Sequence, residues 1–331
     1  MIKKIFFVAL FGIAVGCSVD EEFEGPSLND LYGSFMIITP LDITDRNVDF
    51  AEGELTSFTA VFSKQVDWKV RIKGLSSGAV KEMTGFSNSL NSDNAQWNGT
   101  TTFLPMFRAE ECAVELTFLS EPDTLRDTLS LSSGRVNEGL LLSDFESGFP
   151  SGWTTFVQSG ANMSFVVQTN NNAAQGTRYY DMGGTVNWDW LKGLFEIPAT
   201  VYGSPRFDLN PNPEQVFFNA MLYKPAAIDN ALVLFQFRED DNQDGVYSSS
   251  SEDMYSIQVD PSVNGWTLLN AKYADLQTLI NGAPAPAIGN GIREPHKCLR
   301  VSVLFLAAPT SGYTQGYIDY LIFTENGPLQ P

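Results

Sequence analysis

The chain has 331 residues, 43% of them hydrophobic, 12% aromatic and 18% charged, which supplies a real apolar core and argues against a disordered protein. The length predicts about two domains. Thirty-nine acidic against 20 basic residues give a formal charge of -19, a field that repels phosphate backbones, so no nucleic acid is expected as partner. Cys17, Cys112 and Cys298 are too scattered for a disulfide framework, and no Cys/His spacing matches a zinc site. With His296 as the single histidine, most triad and His-ligated metal chemistries lose their central residue.

At the start, Lys3 and Lys4 precede an apolar run from Ile5 to Val15, too short to span a bilayer and suited to the h-region of a signal peptide. Ala14-Val15-Gly16-Cys17 follows. It resembles the lipobox at which bacterial lipoproteins are cut and acylated on the new N-terminal cysteine, whereas the plainer reading is an ordinary secretory signal with a coincidental cysteine. The lipobox implies that residues 1–16 are removed and that Cys17 carries a palmitate-type anchor in a membrane. Ser18-Val19-Asp20-Glu21-Glu22 resembles the export signal that takes lipoproteins of the Bacteroidota to the outer face of the outer membrane. As residues alone, 17–30 read as an acidic, solvated tether.

Beyond the tether, apolar and polar residues alternate between Gly, Asn, Asp, Ser and Pro, and helical spacing is almost absent, so the fold class is all-β. In residues 31–135 the pattern predicts strands at Phe35 to Ile38, Phe58 to Phe62, Val66 to Ile72, Thr101 to Leu104, Val114 to Phe118 and Thr128 to Leu131. Val66, Trp68, Val70 and Ile72 share one face, opposite Asp67, Lys69, Arg71 and Lys73, as in a half-buried strand. This density of strands predicts an immunoglobulin-like sandwich, with no chemical motif in it and the role of a spacer. Residues 132–139 are small and polar and mark a boundary. From 140 to 331 the strands are longer and more aromatic: Leu140 to Phe145, Thr154 to Val157, Met163 to Gln168, Arg178 to Asp181, Trp190 to Phe195, Val216 to Tyr223, Ala231 to Arg238, Met254 to Val259, Gly265 to Leu269, Leu299 to Phe305 and Gly316 to Phe323. They predict a C-terminal jelly-roll β-sandwich. Tyr273 to Asn281, ended by Gly282, is the one predicted short helix.

Leu142-Ser143-Asp144-Phe145-Glu146 with Gly152-Trp153, then Gly176-Thr177-Arg178-Tyr179-Tyr180, and finally Gly316-Tyr317-Ile318-Asp319-Tyr320-Leu321-Ile322-Phe323-Thr324 resemble the opening, second and closing strands of galactose-binding-like jelly rolls used as carbohydrate-binding modules. With the lipobox and a spacer domain, the architecture is similar to that of surface glycan-binding lipoproteins of Bacteroidota polysaccharide-utilisation systems. The resemblance implies non-catalytic binding of a polysaccharide or oligosaccharide at the cell surface, in support of glycan capture and uptake, beside an outer-membrane transporter complex of the TonB-dependent class.

Such binding needs flat rings for the apolar faces of sugars and planar polar side chains for their hydroxyls. Trp188 and Trp190 alternate in Asn187-Trp188-Asp189-Trp190 and share a face if the segment is extended; they form either a ligand platform or a core plug. In Leu232 to Arg238, Phe235 and Phe237 point one way while Gln236 and Arg238 point the other, as hydroxyl ligands or as an exposed face with a rim salt bridge. Arg178, Tyr179 and Tyr180 are further glycan-binding candidates, and Trp68, Trp97, Trp153 and Trp266 are assigned to packing.

Asp240-Asp241-Asn242-Gln243-Asp244-Gly245 matches the start of a calcium loop, with Asp240, Asn242 and Asp244 at alternate positions and Glu252 and Asp253 to follow. Position 12 would be Ser251 and strands flank the loop, so it is no EF-hand; the readings are a calcium loop or an empty hairpin with an Asp-Gly turn. The clustered carboxylates would repel one another without a cation. The resemblance implies a second, structural calcium near the terminal strands, with Glu146 and Asp319 as ligands. No GxSxG, HExxH, P-loop or GxGxxG occurs, so no catalytic residue is expected. Two rival functions stand against glycan binding: a calcium-stabilised surface adhesion protein, and a glycan-active hydrolase or lyase working through paired carboxylates.

Overall fold

A computed structural model describes residues 33–187, 190–280, 282–308 and 312–331. The signal segment, Cys17, the tether and Trp188 lie outside the described residues. The fold is all-β. Among the described residues the only helical pieces are single 3₁₀ turns, and no helix is long and apolar enough to cross a membrane.

In the N-terminal half one long strand, Thr56–Gly74, is the spine. It pairs antiparallel with Ile37–Ile43, Val80–Leu90, Gln96–Trp97 and Glu110–Phe118; the last pairs with Thr124–Ser133, which takes Asn47–Asp49 as a parallel partner. Phe58 to Phe62 and Val66 to Ile72 are therefore one strand, continuous through a register shift between Val61 and Val66. Val66, Trp68, Val70 and Ile72 are buried and the four charged residues between and after them exposed, as period-two alternation requires. Thr101 to Leu104 is not a strand. Phe103 makes only an isolated bridge to Val80, the Thr101 hydroxyl donates to the Val80 and Phe103 carbonyls, and the chain then leaves towards the C-terminal half, where the Met106 amide donates to the Ala174 carbonyl.

A buried turn shows how this half is stapled. Glu110, 9% exposed, accepts hydrogen bonds from the Ser76 and Ser77 amides and hydroxyls. Burial pushes its pKa up, but these donors outweigh burial and hold it below the ordinary 4.5. Glu110→Ala, which leaves those donors without their acceptor, is expected to cost about 1.5–3 kcal/mol in urea unfolding. Because the folded pKa is depressed, the contribution is present above the unfolded value and disappears as the pH falls through the folded one. A variant that lost no stability at neutral pH would contradict this.

The C-terminal half is a two-sheet sandwich. One sheet contains Leu140–Ser143, Ala161–Met163, Val167–Thr169, Arg178–Val186, Val216–Tyr223, Thr267–Lys272 and Gly312–Glu325; the other runs Met254–Val259, Ala231–Glu239, Cys298–Ala307, Leu191–Pro198, Thr154–Val157 across its width. Between them lie Tyr180, Phe195, Phe218, Phe235, Phe237, Phe305 and Phe323, a core dominated by rings in tilted and edge-to-face contact. The predicted helix from Tyr273 to Asn281 is not formed. Tyr273–Asp275 is one 3₁₀ turn, after which Gln277 exchanges backbone hydrogen bonds with Ser256, and Leu279–Ile280 folds back on Ala283–Pro284 through Gly282 at φ 77°. The amides that a helix would use locally are spent across the chain.

A small third cluster joins the halves: Met106 meets Ala174, Met221, Tyr320, Ile322 and Leu329. The end of the chain closes this seam, with the Pro331 carbonyl accepting from the Thr101 amide and the Gln330 carbonyl from Arg135.

Candidate functional site

The outer face of the five-stranded sheet carries a polar platform set by register. Glu196, Ser302, Gln236 and Ser256 are successive cross-strand partners and form one row; Pro198, Arg300, Arg238 and Met254 form the next; Leu194, Leu304, Leu234 and Gln258 form a third, extended by Phe156 at the edge. Their in-facing neighbours Phe195, Phe235, Phe237, Val301 and Val303 are in the core, so alternation leaves the rows no other side to face. Glu196 is the hub. One carboxylate oxygen accepts from Arg238 Nη1 at 2.6 Å and the Ser302 hydroxyl at 3.3 Å, the other from Arg300 Nη1 at 2.7 Å and the Thr154 hydroxyl at 3.3 Å. Burial raises its pKa, yet the two guanidiniums outweigh burial and hold it below the ordinary range, so it is an anion and a brace and not a proton donor.

Not every polar atom of the platform is paired. Arg238 Nε, Arg300 Nε and the Ser256 hydroxyl are buried with no partner among the described residues, and Gln236 faces the same side, partly exposed. The Tyr247 ring lies 5.5 Å from the Arg238 guanidinium carbon at one border, a cation–π contact. Phe156, 48% exposed, stands at another. Flat, multi-donor groups beside rings are what hydroxyls and the CH faces of a sugar require.

Of the residues singled out from sequence, Gln236 and Arg238 lie in this platform. Trp190 is partly buried just before Leu191–Pro198, its carbonyl holding the Ala307 amide, and its ring lies beside Gly282 of the 279–284 hairpin. Tyr180 is corrected: it is wholly buried, stacked on Phe145 and Phe165, with its hydroxyl bonded to the Ser164 carbonyl, because its phase on Arg178–Val186 is the core phase. Arg178 is tied elsewhere, its Nη1 donating to the Glu146 carbonyl. Glu196, Arg300, Ser302, Ser256 and Tyr247 were missed. The available signal was parity, since Glu196 and Arg300 occupy the out-facing phase of strands whose in-facing phase is apolar.

On the opposite sheet Tyr179, Tyr223, Tyr317 and Trp266 pack on one another, with ring centroids 4.8 Å apart for Tyr179–Tyr317 and 5.4 Å for Tyr223–Tyr317. Beside them Asp181 takes both hydrogen bonds of the Gln315 amide, and Tyr313 is 53% exposed. This second face provides an internal control for any ligand.

The acidic loop is organised by backbone amides and one arginine. Asp240 pairs with Arg206 at 2.9 Å and accepts from the Asp244 and Gly245 amides; Asn242 bonds Asp244; Glu252 accepts from Ser248 and Asn242; Asp253 accepts from the Ile288, Gly289 and Gly291 amides and the Tyr255 hydroxyl. These donors hold the loop's carboxylates in place, while Asp253 still acts on Asp241 as a like charge and helps to raise its pKa, behind burial as the larger cause. Among the described residues the carboxylates that do converge are Glu239, Asp241 and Glu294.

Glu146 and Asp319 sit at the two ends of one backbone segment. Glu146 accepts from the Thr177 and Arg178 amides and the Thr177 hydroxyl, Asp319 from the Gln175 and Tyr320 amides. Asp319 is fully buried, which drives its pKa well above the ordinary value, with Glu146 adding to the rise. Gln175 Oε1 is buried with no partner among the described residues. Phe145 and Tyr320, each next to one of these acids, have φ of 57° and 47°, strained for bulky residues and typical of constrained sites.

The chain matches no protein-family model and no curated protein. Among solved structures it is similar to carbohydrate-binding modules from the beta-sandwich super family, at 12% identity and TM-score 0.40 over 89% of this chain and 99% of that one. It is also similar to the family 11 carbohydrate-binding module of Clostridium thermocellum in complex with a beta-1,3-1,4-mixed-linked tetrasaccharide, at 14% identity and TM-score 0.38 over 59% and 100%. SGBP-B from a complex xyloglucan utilization locus in Bacteroides uniformis is similar at 8% identity and TM-score 0.34 over 86% and 72%. At these scores the likenesses assign nothing to this chain.

Proposed function

We propose that the protein binds a polysaccharide without cleaving it, through the outer face of its five-stranded sheet. The observation that carries this reading is the cluster of planar donor groups on one face, Gln236 with the partly exposed guanidiniums of Arg238 and Arg300, held in place by Glu196 and bordered by aromatic rings. A broad sheet face with several fixed donors suits an extended, neutral chain contacted at many hydroxyls, each worth little. An anionic Glu196 locked between two guanidiniums is not the proton-bearing acid that a retaining or inverting glycosidase needs. Retardation of the purified protein in native gels cast with soluble polysaccharides tests the proposal; a full panel that retards nothing overturns it, and release of reducing ends would make it an enzyme. The cell-surface part of the reading, in which Cys17 anchors the protein to the outer membrane beside a TonB-dependent transporter complex and the first half serves as a spacer, is supported by the lipobox-like sequence and is tested by radiolabelled palmitate incorporation that Cys17→Ala abolishes.

The same reading includes a structural calcium held by Glu146 and Asp319. Gln175, whose amide donates to Asp319 and whose buried Oε1 has no partner among the described residues, fits a hard cation with oxygen ligands, which would supply positive charge to Asp319, an acid with no ion-pair partner among the described residues. Chelation is expected to lower the melting temperature of the wild type by a loss of about 2.7 kcal/mol when free calcium had been near a hundred times its dissociation constant. Asp319→Asn should remove that part of the response, and a variant as sensitive to chelator as the wild type would sink this ion.

A further inference from the structure

We infer that a second divalent cation site, with calcium as its natural occupant, is formed by Glu239, Asp241 and Glu294 at the base of the acidic loop. It is independent of the glycan reading and uses none of the loop positions that a calcium-loop register would select. One carboxylate oxygen from each residue lies within 4.8 Å of the other two. Oxygen ligands at 2.3–2.6 Å from one calcium ion stand up to about 5 Å apart across the ion, so the three fit a single coordination sphere.

Proximity of acids alone would not mark a site, since surface carboxylates cluster freely. The deciding atom is Glu239 Oε2. Glu239 is 0% exposed. Its Oε1 is fully used, accepting from the Tyr273 hydroxyl at 2.8 Å and the Glu294 amide at 2.8 Å, which aims the side chain at the Glu294 segment, while Oε2 is buried with no partner among the described residues. A buried carboxylate oxygen with nothing to accept from costs several times what an average hydrogen bond returns, and a bound cation would remove that cost.

The remaining partners leave room for the ion. Among the described residues the Asp241 carboxylate receives long hydrogen bonds, 3.3 Å from the Asp253 amide and 3.4 Å from the Asn290 amide and side chain, so its lone pairs are weakly committed. Glu294 Oε2 is paired with Lys297 Nζ at 2.7 Å and Asn290 Nδ2 at 2.8 Å, which leaves Oε1 for the ion; Lys297 also reaches the Asp241 carbonyl at 3.3 Å. The site would tie Ala231–Glu239, the loop after it and the segment before Cys298–Ala307 together, immediately below Arg238.

The test is the metal count of the full chain. After exhaustive chelation, calcium alone is titrated by calorimetry, and terbium luminescence is read through Tyr273, whose hydroxyl is hydrogen-bonded to Glu239. Glu239→Gln and, at a more exposed position, Glu294→Gln are each expected to bind one calcium fewer than the wild type and to lose the terbium signal. Asp319→Asn is expected to retain that signal, so failure of the Glu146–Asp319 ion and failure of this one are told apart. If both glutamine variants, folded by near-ultraviolet dichroism, keep the wild-type metal count, the proposal is overturned. A wild type that binds terbium without any signal lost in either variant overturns it equally.

Discussion

The double variant Gln236→Ala/Arg238→Ala is expected to lose glycan retention altogether while unfolding within about 1 kcal/mol of the wild type. Both side chains lie on the outer face, clear of the aromatic core, so the cost is confined to the partly buried Arg238–Glu196 ion pair. Arg238 is one of two guanidiniums on Glu196, and Arg300 remains to hold that carboxylate, so the hub survives. A polysaccharide held by several contacts of about 1 kcal/mol each loses two of its fixed donors, and weak binding has no reserve to absorb a loss of about fivefold per contact. Tyr313→Ala on the opposite sheet serves as the control and should leave retention unchanged. Retention lost with Tyr313→Ala and kept in the double variant would move the site to the other face.

The second large effect is thermodynamic and falls on the residue next door. Phe235 points inward against Phe218, with ring centroids 5.0 Å apart, and is wholly buried; Phe235→Ala should cost about 3–5 kcal/mol through lost transfer energy and an unfilled cavity. The contrast is sharp because Phe235 and Gln236 are adjacent on one strand. Whatever glycan affinity survives in folded Phe235→Ala should be near the wild-type value. A Phe235→Ala protein as stable as its parent would mean that the sandwich core is not where the alternation places it.

That alternation was the most legible property of the sequence. The segments Thr154 to Val157, Val216 to Tyr223 and Met254 to Val259 have the observed bounds, and the opposite phases of Phe235 and Gln236 follow from period two. Tyr180 was misjudged because an aromatic residue has the same local look whether its phase faces core or solvent; the assignment needs the register of Arg178–Val186 against its neighbour. The hub was invisible for a related reason. Glu196, Arg238 and Arg300 lie on three strands far apart in sequence, and only the pairing Glu196–Ser302–Gln236 brings them together. In the acidic loop, composition counted the charges correctly but could not see the Ile288, Gly289 and Gly291 amides, which donate hydrogen bonds to Asp253 from a distant segment. The predicted helix after Tyr273 failed because Gln277 finds Ser256 across the sheet edge.

The seam at the chain's end bears on how the two halves melt. Leu329 is buried against Met106 and its neighbours, its amide is held by the Asn219 side chain, and the last carbonyl takes a hydrogen bond from Thr101. A terminal hexapeptide thus acts as mortar between two bricks, so heat should dismantle both in one calorimetric peak rather than in sequence. Cutting the chain after Glu325 should split that peak into two.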